Sequence, residues 1–189
     1  MPVSAPGPSE ERGVTDPDFE KLVQRFAERQ QKDDAENVVD WNEMKRWWVG
    51  TVHGLFDQID GWLHSLIQSG SVQSIRKTTQ LTEEDLGRYD VESLELVLAS
   101  RKLTFEPIGT MLIGAFGRIE VSGPNGKAVL LLLNTDSKVP HKEKRAHVAW
   151  FIAHPAPNLR SLPKTRPELR SLTQDSFQQL FTDLFGIDR

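Results

Sequence analysis

Residues 111–133, MLIGAFGRIEVSGPNGKAVLLLL, read as two strands around a tight loop. Met111 to Val121 alternates toward its end, with Gly114 and Gly117 marking a bulge or a close approach. Ser122-Gly123-Pro124-Asn125-Gly126 carries the Asn-Gly pair that closes hairpins, and Ala128 to Leu133 returns apolar on both faces, as a central strand would. A hairpin of this kind predicts an antiparallel sheet, and neighbouring segments extend it. Val72 to Gln80 alternates weakly as an edge strand. Leu94, Leu96 and Leu98 alternate with polar neighbours, Leu103 to Phe105 continues until Pro107 and Gly109, and His147 to His154 supplies another strand. Thr82-Glu83-Glu84-Asp85 resembles a helix start, ended by Gly87, and Arg101-Lys102 is placed in a turn. About five to six strands are expected.

Helices flank this region. Asp16-Pro17 reads as a cap and first helical residue, and Phe19, Leu22, Val23 and Phe26 recur at helical spacing to about Gln31. A second helix is expected from near Asp40 to about Gln68, stopped by Ser69-Gly70. Trp41, Met44, Trp48, Val52, Leu55, Ile59 and Trp62 fall on one side of it. Thr173 caps a last helix, with Ser176 at the position where Glu or Gln usually completes a capping box. The fold class is therefore α+β: two N-terminal helices, one long and Trp-rich, a mainly antiparallel sheet, and a C-terminal helix. The expected organisation is a disordered tail over 1–15, a helical region over 16–70, and the sheet with its closing helix over 71–189.

The 189 residues contain no cysteine, which excludes disulfides, thiolate zinc sites, iron–sulfur clusters and cysteine nucleophiles. Residues 1–10, MPVSAPGPSE, lack the apolar core of a secretory signal, and the apolar run 128–133 is too short to cross a bilayer. A cytoplasmic protein without membrane contact is expected. The net charge of −4 conceals a split: residues 1–100 hold ten bases and nineteen acids, and residues 101–189 hold thirteen bases and eight acids. Eight of those bases, Lys138, Lys142, Lys144, Arg145, Arg160, Lys164, Arg166 and Arg170, lie in one stretch with only Glu143 and Glu168 opposing them. They are the candidate surface for an anion or nucleic acid, held by phosphate contacts because few aromatics interleave the bases.

The long helix offers two further surfaces. Trp41, Trp48, Val52, Leu55, Ile59 and Trp62 are candidates for a homo-oligomer or protein-partner interface, where Trp is enriched, with packing into the chain's own core as the alternative. Gly50, Gly54 and Gly61 share a face and suggest a closely approaching backbone or a bend. His53, Asp57, Asp60 and His64 follow at i, i+4, i+7 and i+11, spacing at which imidazole and carboxylate can share a metal ion, although a solvated polar face needs no metal.

No phosphate-binding loop, dinucleotide fingerprint or nucleophile elbow is present, and no cofactor is expected. Glu120 on one strand, with Asp136 and Lys138 beyond the next, resembles the acid, acid-and-lysine arrangement of metal-dependent nucleases of the restriction-endonuclease type. That resemblance covers residues 116–138, and it implies Mg²⁺ held by the two acids and water positioned by the lysine. The leading expectation is a non-enzymatic binding or assembly module. A divalent-metal phosphodiesterase and an accessory protein of a bacterial defence or toxin–immunity system are the alternatives.

Overall fold

The computed structural model describes residues 21–28, 40–110, 115–136, 138, 144–153 and 168–187. The expected tail over 1–15 and the cap at Asp16-Pro17 lie outside them. The chain divides into two compact units, Met1–Val39 and Asp40–Arg189. In the first unit, residues 21–28 form helix α1, which leaves Leu22, Val23 and Phe26 exposed.

The second unit begins with α2 (Trp41–Trp62). Asp40 caps it by accepting the backbone N–H of Asn42 and Glu43, both at 3.0 Å. The helix expected to run unbroken to Gln68 is interrupted at Leu63, whose buried side chain turns the chain into the short α3 (His64–Gln68). Among the described residues, seven strands follow: β1 (Val72–Glu83), β2 (Gly87–Leu98), β3 (Arg101–Gly109), β4 (Gly117–Gly123), β5 (Gly126–Asn134), β6 (Val148–Ala153) and β7 (Leu169–Ser171). They make one antiparallel sheet in sequence order. A 3₁₀ turn (Lys144–Ala146) precedes β6, and α4 (Gln174–Phe185) closes the chain.

The sheet corrects the strand reading in four places. The Thr82–Asp85 segment is no helix start: β1 extends to Glu83, which pairs with Gly87 across the hairpin. Arg101 and Lys102 belong to β3, and the turn before them holds Ala99 at φ 53. Pro107 does not stop β3, because a bulge between Pro107 and Gly109 absorbs the missing donor. The fourth is β7, too short to show a period of two and therefore absent from the expected five to six strands.

Alternation along the strands builds the core. Leu94 and Leu96 of β2, Leu103 and Phe105 of β3, Ile119 and Val121 of β4, and Leu130 and Leu132 of β5 are all buried. Onto them pack Trp48, Val52, Leu55, Phe56 and Ile59 of α2, and Phe177, Leu180, Leu184 and Phe185 of α4. The two helices share aromatic contacts: Phe105 lies 6.4 Å from Phe56 and 6.5 Å from Phe177, ring centroid to centroid. Each such side chain contributes about 1.5–3 kcal/mol on burial, so the tryptophan helix is held by the sheet below it. Among the described residues, no helix is long and apolar enough to cross a membrane.

Candidate functional site

The outward face of α2 carries the site. Helical spacing aligns His53, Asp57 and Asp60, and the β1–β2 hairpin brings Arg76 and Glu92 against them. Arg76 Nη2 donates to Asp60 Oδ2 at 2.6 Å and to Asp57 Oδ1 at 2.8 Å, while Nη1 donates to Glu92 Oε2 at 3.2 Å. His53 Nδ1 lies 2.9 Å from Glu92 Oε2, and its Nε2 lies 3.4 Å from Asp57 Oδ2. Ser74 Oγ donates to the other oxygen of Asp60 at 2.6 Å. Below, the guanidinium sits 5.9 Å from the centre of the Phe56 ring. The hydrogen bond with His53, reinforced by Arg76, holds the Glu92 carboxyl below its usual pKa against the opposing effect of burial. Burial alone would lower the Arg76 pKa, and its carboxylate partners reverse that to a net rise.

The four residues of the possible metal stripe, His53, Asp57, Asp60 and His64, are not brought together around one point. A guanidinium, not a divalent ion, meets the carboxylates of the stripe, because β1 delivers Arg76 there. His64 falls on α3 beyond the break and is exposed. Among the described residues, no group of three or more His, Asp or Glu could hold a metal ion.

Beside this network lies an open groove of about 590 Å³. Lys45, Arg46, Val49, Gly50 and His53 form its α2 wall, and Tyr89, Asp90 and Glu92 its β2 wall. Gly50 opens it, since a Cβ there would meet nothing within 4 Å. The groove thus has a basic rim on α2, an acidic rim on β2 and apolar surface between them. Lys45 Nζ stands 5.8 Å from the Tyr89 ring centre. The Tyr89 hydroxyl donates to Glu83, which also accepts from the backbone N–H and hydroxyl of Thr110 at 2.8 and 3.1 Å. Burial first, and the bond to Glu83 second, push the Tyr89 pKa up, so its hydroxyl stays protonated.

The other sequence candidates are dispersed. Trp48, Val52, Leu55 and Ile59 are buried against the chain's own sheet, the core packing that stood as the alternative to a partner interface: here the α2 stripe closes the core. Trp41 and Trp62 are half-buried, and Trp62 packs 5.3 Å from Phe177. Nothing among the described residues lies within 4 Å of a Cβ placed on Gly54 or Gly61, as at Gly50, so none of them brings a backbone close to that stripe. Of the basic set, Lys138 is exposed and its backbone N–H donates to Asp136 Oδ1 at 2.9 Å. Arg145 lies 6.0 Å from the Trp47 ring centre, and Arg170 on β7 pairs with Ile152. Lys144 begins the 3₁₀ turn, but its side chain lies outside the description, as do Lys142, Arg160, Lys164 and Arg166.

The nuclease residues do not converge. Glu120 pairs with Val129 and accepts from Arg118 Nη2 at 2.7 Å, whereas Asn134, five residues further along β5, precedes Asp136. At ~3.3 Å per residue the register alone separates Glu120 from that strand end by about 17 Å, while ligands of one ion lie within ~2–2.5 Å of it.

Arg76, Glu92 and Tyr89 escaped the sequence reading. The acidic stripe on α2 was a signal that a cation would face it, but nothing local indicated which one. No family model matches the chain, and the comparisons with curated proteins and with solved structures found no match.

Proposed function

We propose that the protein is a non-enzymatic binding module that takes an extended segment of a partner protein into the groove between α2 and β2. The observation that carries this reading is the pairing of a basic rim, Lys45 and Arg46, with an acidic rim, Asp90 and Glu92, across apolar surface opened by Gly50. Such a trough suits an apolar side chain flanked by charges of both signs, and its volume falls in the range of ligand-binding clefts. The Arg76 network at one end fixes the two walls relative to each other.

Selection from a displayed random peptide library tests it. Enriched peptides should carry an apolar residue between an acidic and a basic one, and Gly50→Phe should weaken their binding at least tenfold. Reversing Lys45 and Arg46 to Glu should shift the selected charge pattern. Absence of enrichment, or equal binding to Gly50→Phe, defeats the reading.

A second reading, contact with an anionic polymer near residues 138–170, is favoured by exposed Lys138 and by Arg145 held over Trp47. There, binding to a mixed-sequence nucleic acid should fall with salt, and Lys138→Glu with Arg145→Glu should flatten that dependence. Affinity unchanged by both substitutions rejects it.

A further inference from the structure

We propose that β1 is a docking edge for a second copy of this chain. Two β1 strands would pair antiparallel about a twofold axis through Thr78 and join two seven-stranded sheets into one. The inference is independent of the groove, and either can fail without the other.

β1 is twelve residues long, contains no proline and, among the described residues, has a strand neighbour on one side only. Among the described residues, no backbone hydrogen bond outside its ladder with β2 reaches it. A long open edge is a template for another strand, and proteins commonly block one with charges, proline or a bulge. The two charges in the middle of this edge are both paired with acids of the same chain. Arg76 is held by Asp57, Asp60 and Glu92, and Lys77 Nζ lies 2.8 Å from Glu95 Oε2. Neither is left to repel an approaching strand. The opposite edge, β7, has three residues and offers little to pair with.

Among the axes that pair at least nine residues of β1, its sequence also favours one register. In a continuous sheet with both sets of helices on the same face, the twofold axis must pass through a residue, because opposed side chains have to point the same way. An axis through Arg76 or Lys77 sets identical charges directly opposite each other, which is unfavourable. An axis through Thr79 sets Ile75 against Glu83. An axis through Thr78 places Ile75 beside Leu81 of the other copy twice over, Arg76 beside Gln80, and Gln73 beside Glu83, with no like-charge pair. Ile75 and Leu81 are both half-buried within one chain, and this pairing would cover them further.

The absence of cysteine makes the test direct. Light scattering of the full chain should give twice the 21.4 kDa of one copy. In Thr78→Cys, the two thiols would sit on directly opposed residues, whose Cα atoms lie ~4.5–5.5 Å apart, within disulfide reach. Mild oxidation should therefore give a covalent dimer. In Gln73→Cys, the thiols would be ten residues out of register, about 33 Å apart, and should not link. Ile75→Lys with Leu81→Lys should give a folded monomer by circular dichroism and light scattering. A single-chain mass at every concentration overturns the proposal. So does cross-linking that fails at position 78 or proceeds equally at 73, or a dimer that survives the double lysine variant.

Discussion

Gly117 and Gly54 make opposite use of a missing side chain. A Cβ on Gly117 would overlap Cζ3 of Trp48 and lie 2.7 Å from its Cη2, and Trp48 is fully buried. The glycine is thus the hollow into which the indole fits. Gly117→Ala should cost about 3 kcal/mol, the upper range for overpacking a close-packed core, read as a lowered urea midpoint at unchanged slope. Gly54, inside α2, has nothing within 4 Å of that position, so Gly54→Ala should raise stability by about 1 kcal/mol through helix propensity alone. From sequence, both positions carried the same suggestion of a close approach. What separates them is a tryptophan 69 residues from Gly117, a contact that no local pattern encodes.

The two ends of the sheet show how much an element's own sequence reveals. Thr173 caps α4 by accepting the Ser176 backbone N–H at 3.3 Å, and the Ser176 hydroxyl accepts the Thr173 N–H at 2.8 Å. Serine thus performs the reciprocal role usually given to Glu or Gln. Gly186 ends the helix at φ 65. Thr173→Ala should cost about 1 kcal/mol and Gly186→Ala about 1–2 kcal/mol, each measured by thermal or urea unfolding. Thr82-Glu83-Glu84-Asp85 offers a similar local signal and forms a hairpin instead. The difference lies beyond the cap: Phe177, Leu180, Phe181 and Leu184 continue at helical spacing, whereas Leu86 is followed at once by Gly87. A twelve-pair ladder then outweighs one capping preference, with Glu83 holding Tyr89 and Thr110. Helices with a long apolar stripe and strands around Asn-Gly were therefore legible. The hairpin at Glu84–Leu86, the three-residue β7 and the Arg76 partner of the α2 stripe depend on contacts between distant segments.

Across the whole molecule, the acidic first half is balanced in part from within. Arg76 meets three of its carboxylates, while Lys77 and Lys102 clamp Glu95 at 2.8 and 2.9 Å. Glu92 is depressed chiefly by its hydrogen bond with His53, and Glu95 by those with Lys77 and Lys102. A carboxyl whose folded pKa lies below its unfolded value binds its proton more readily in the unfolded chain. Its stabilisation is therefore complete above the unfolded value, about 4.3 for Glu, and is lost as pH falls through the lower folded value. Urea midpoints should accordingly hold from neutral pH down to the unfolded value as far as these two groups are concerned, then drop as pH falls further through the lower folded values. Glu92→Gln and Glu95→Gln should each lower the midpoint at neutral pH and make the acid limb shallower, because the proton-linked contribution is already absent. A variant whose acid limb is as steep as that of the parent would place the linkage elsewhere. Because both carboxylates lie on β2, their loss should loosen the β1–β2 hairpin first. Amide protection factors in β1 should therefore fall at acid pH before those in β4 and β5, whose ladder includes the buried pairs Ile119–Leu130 and Val121–Ala128.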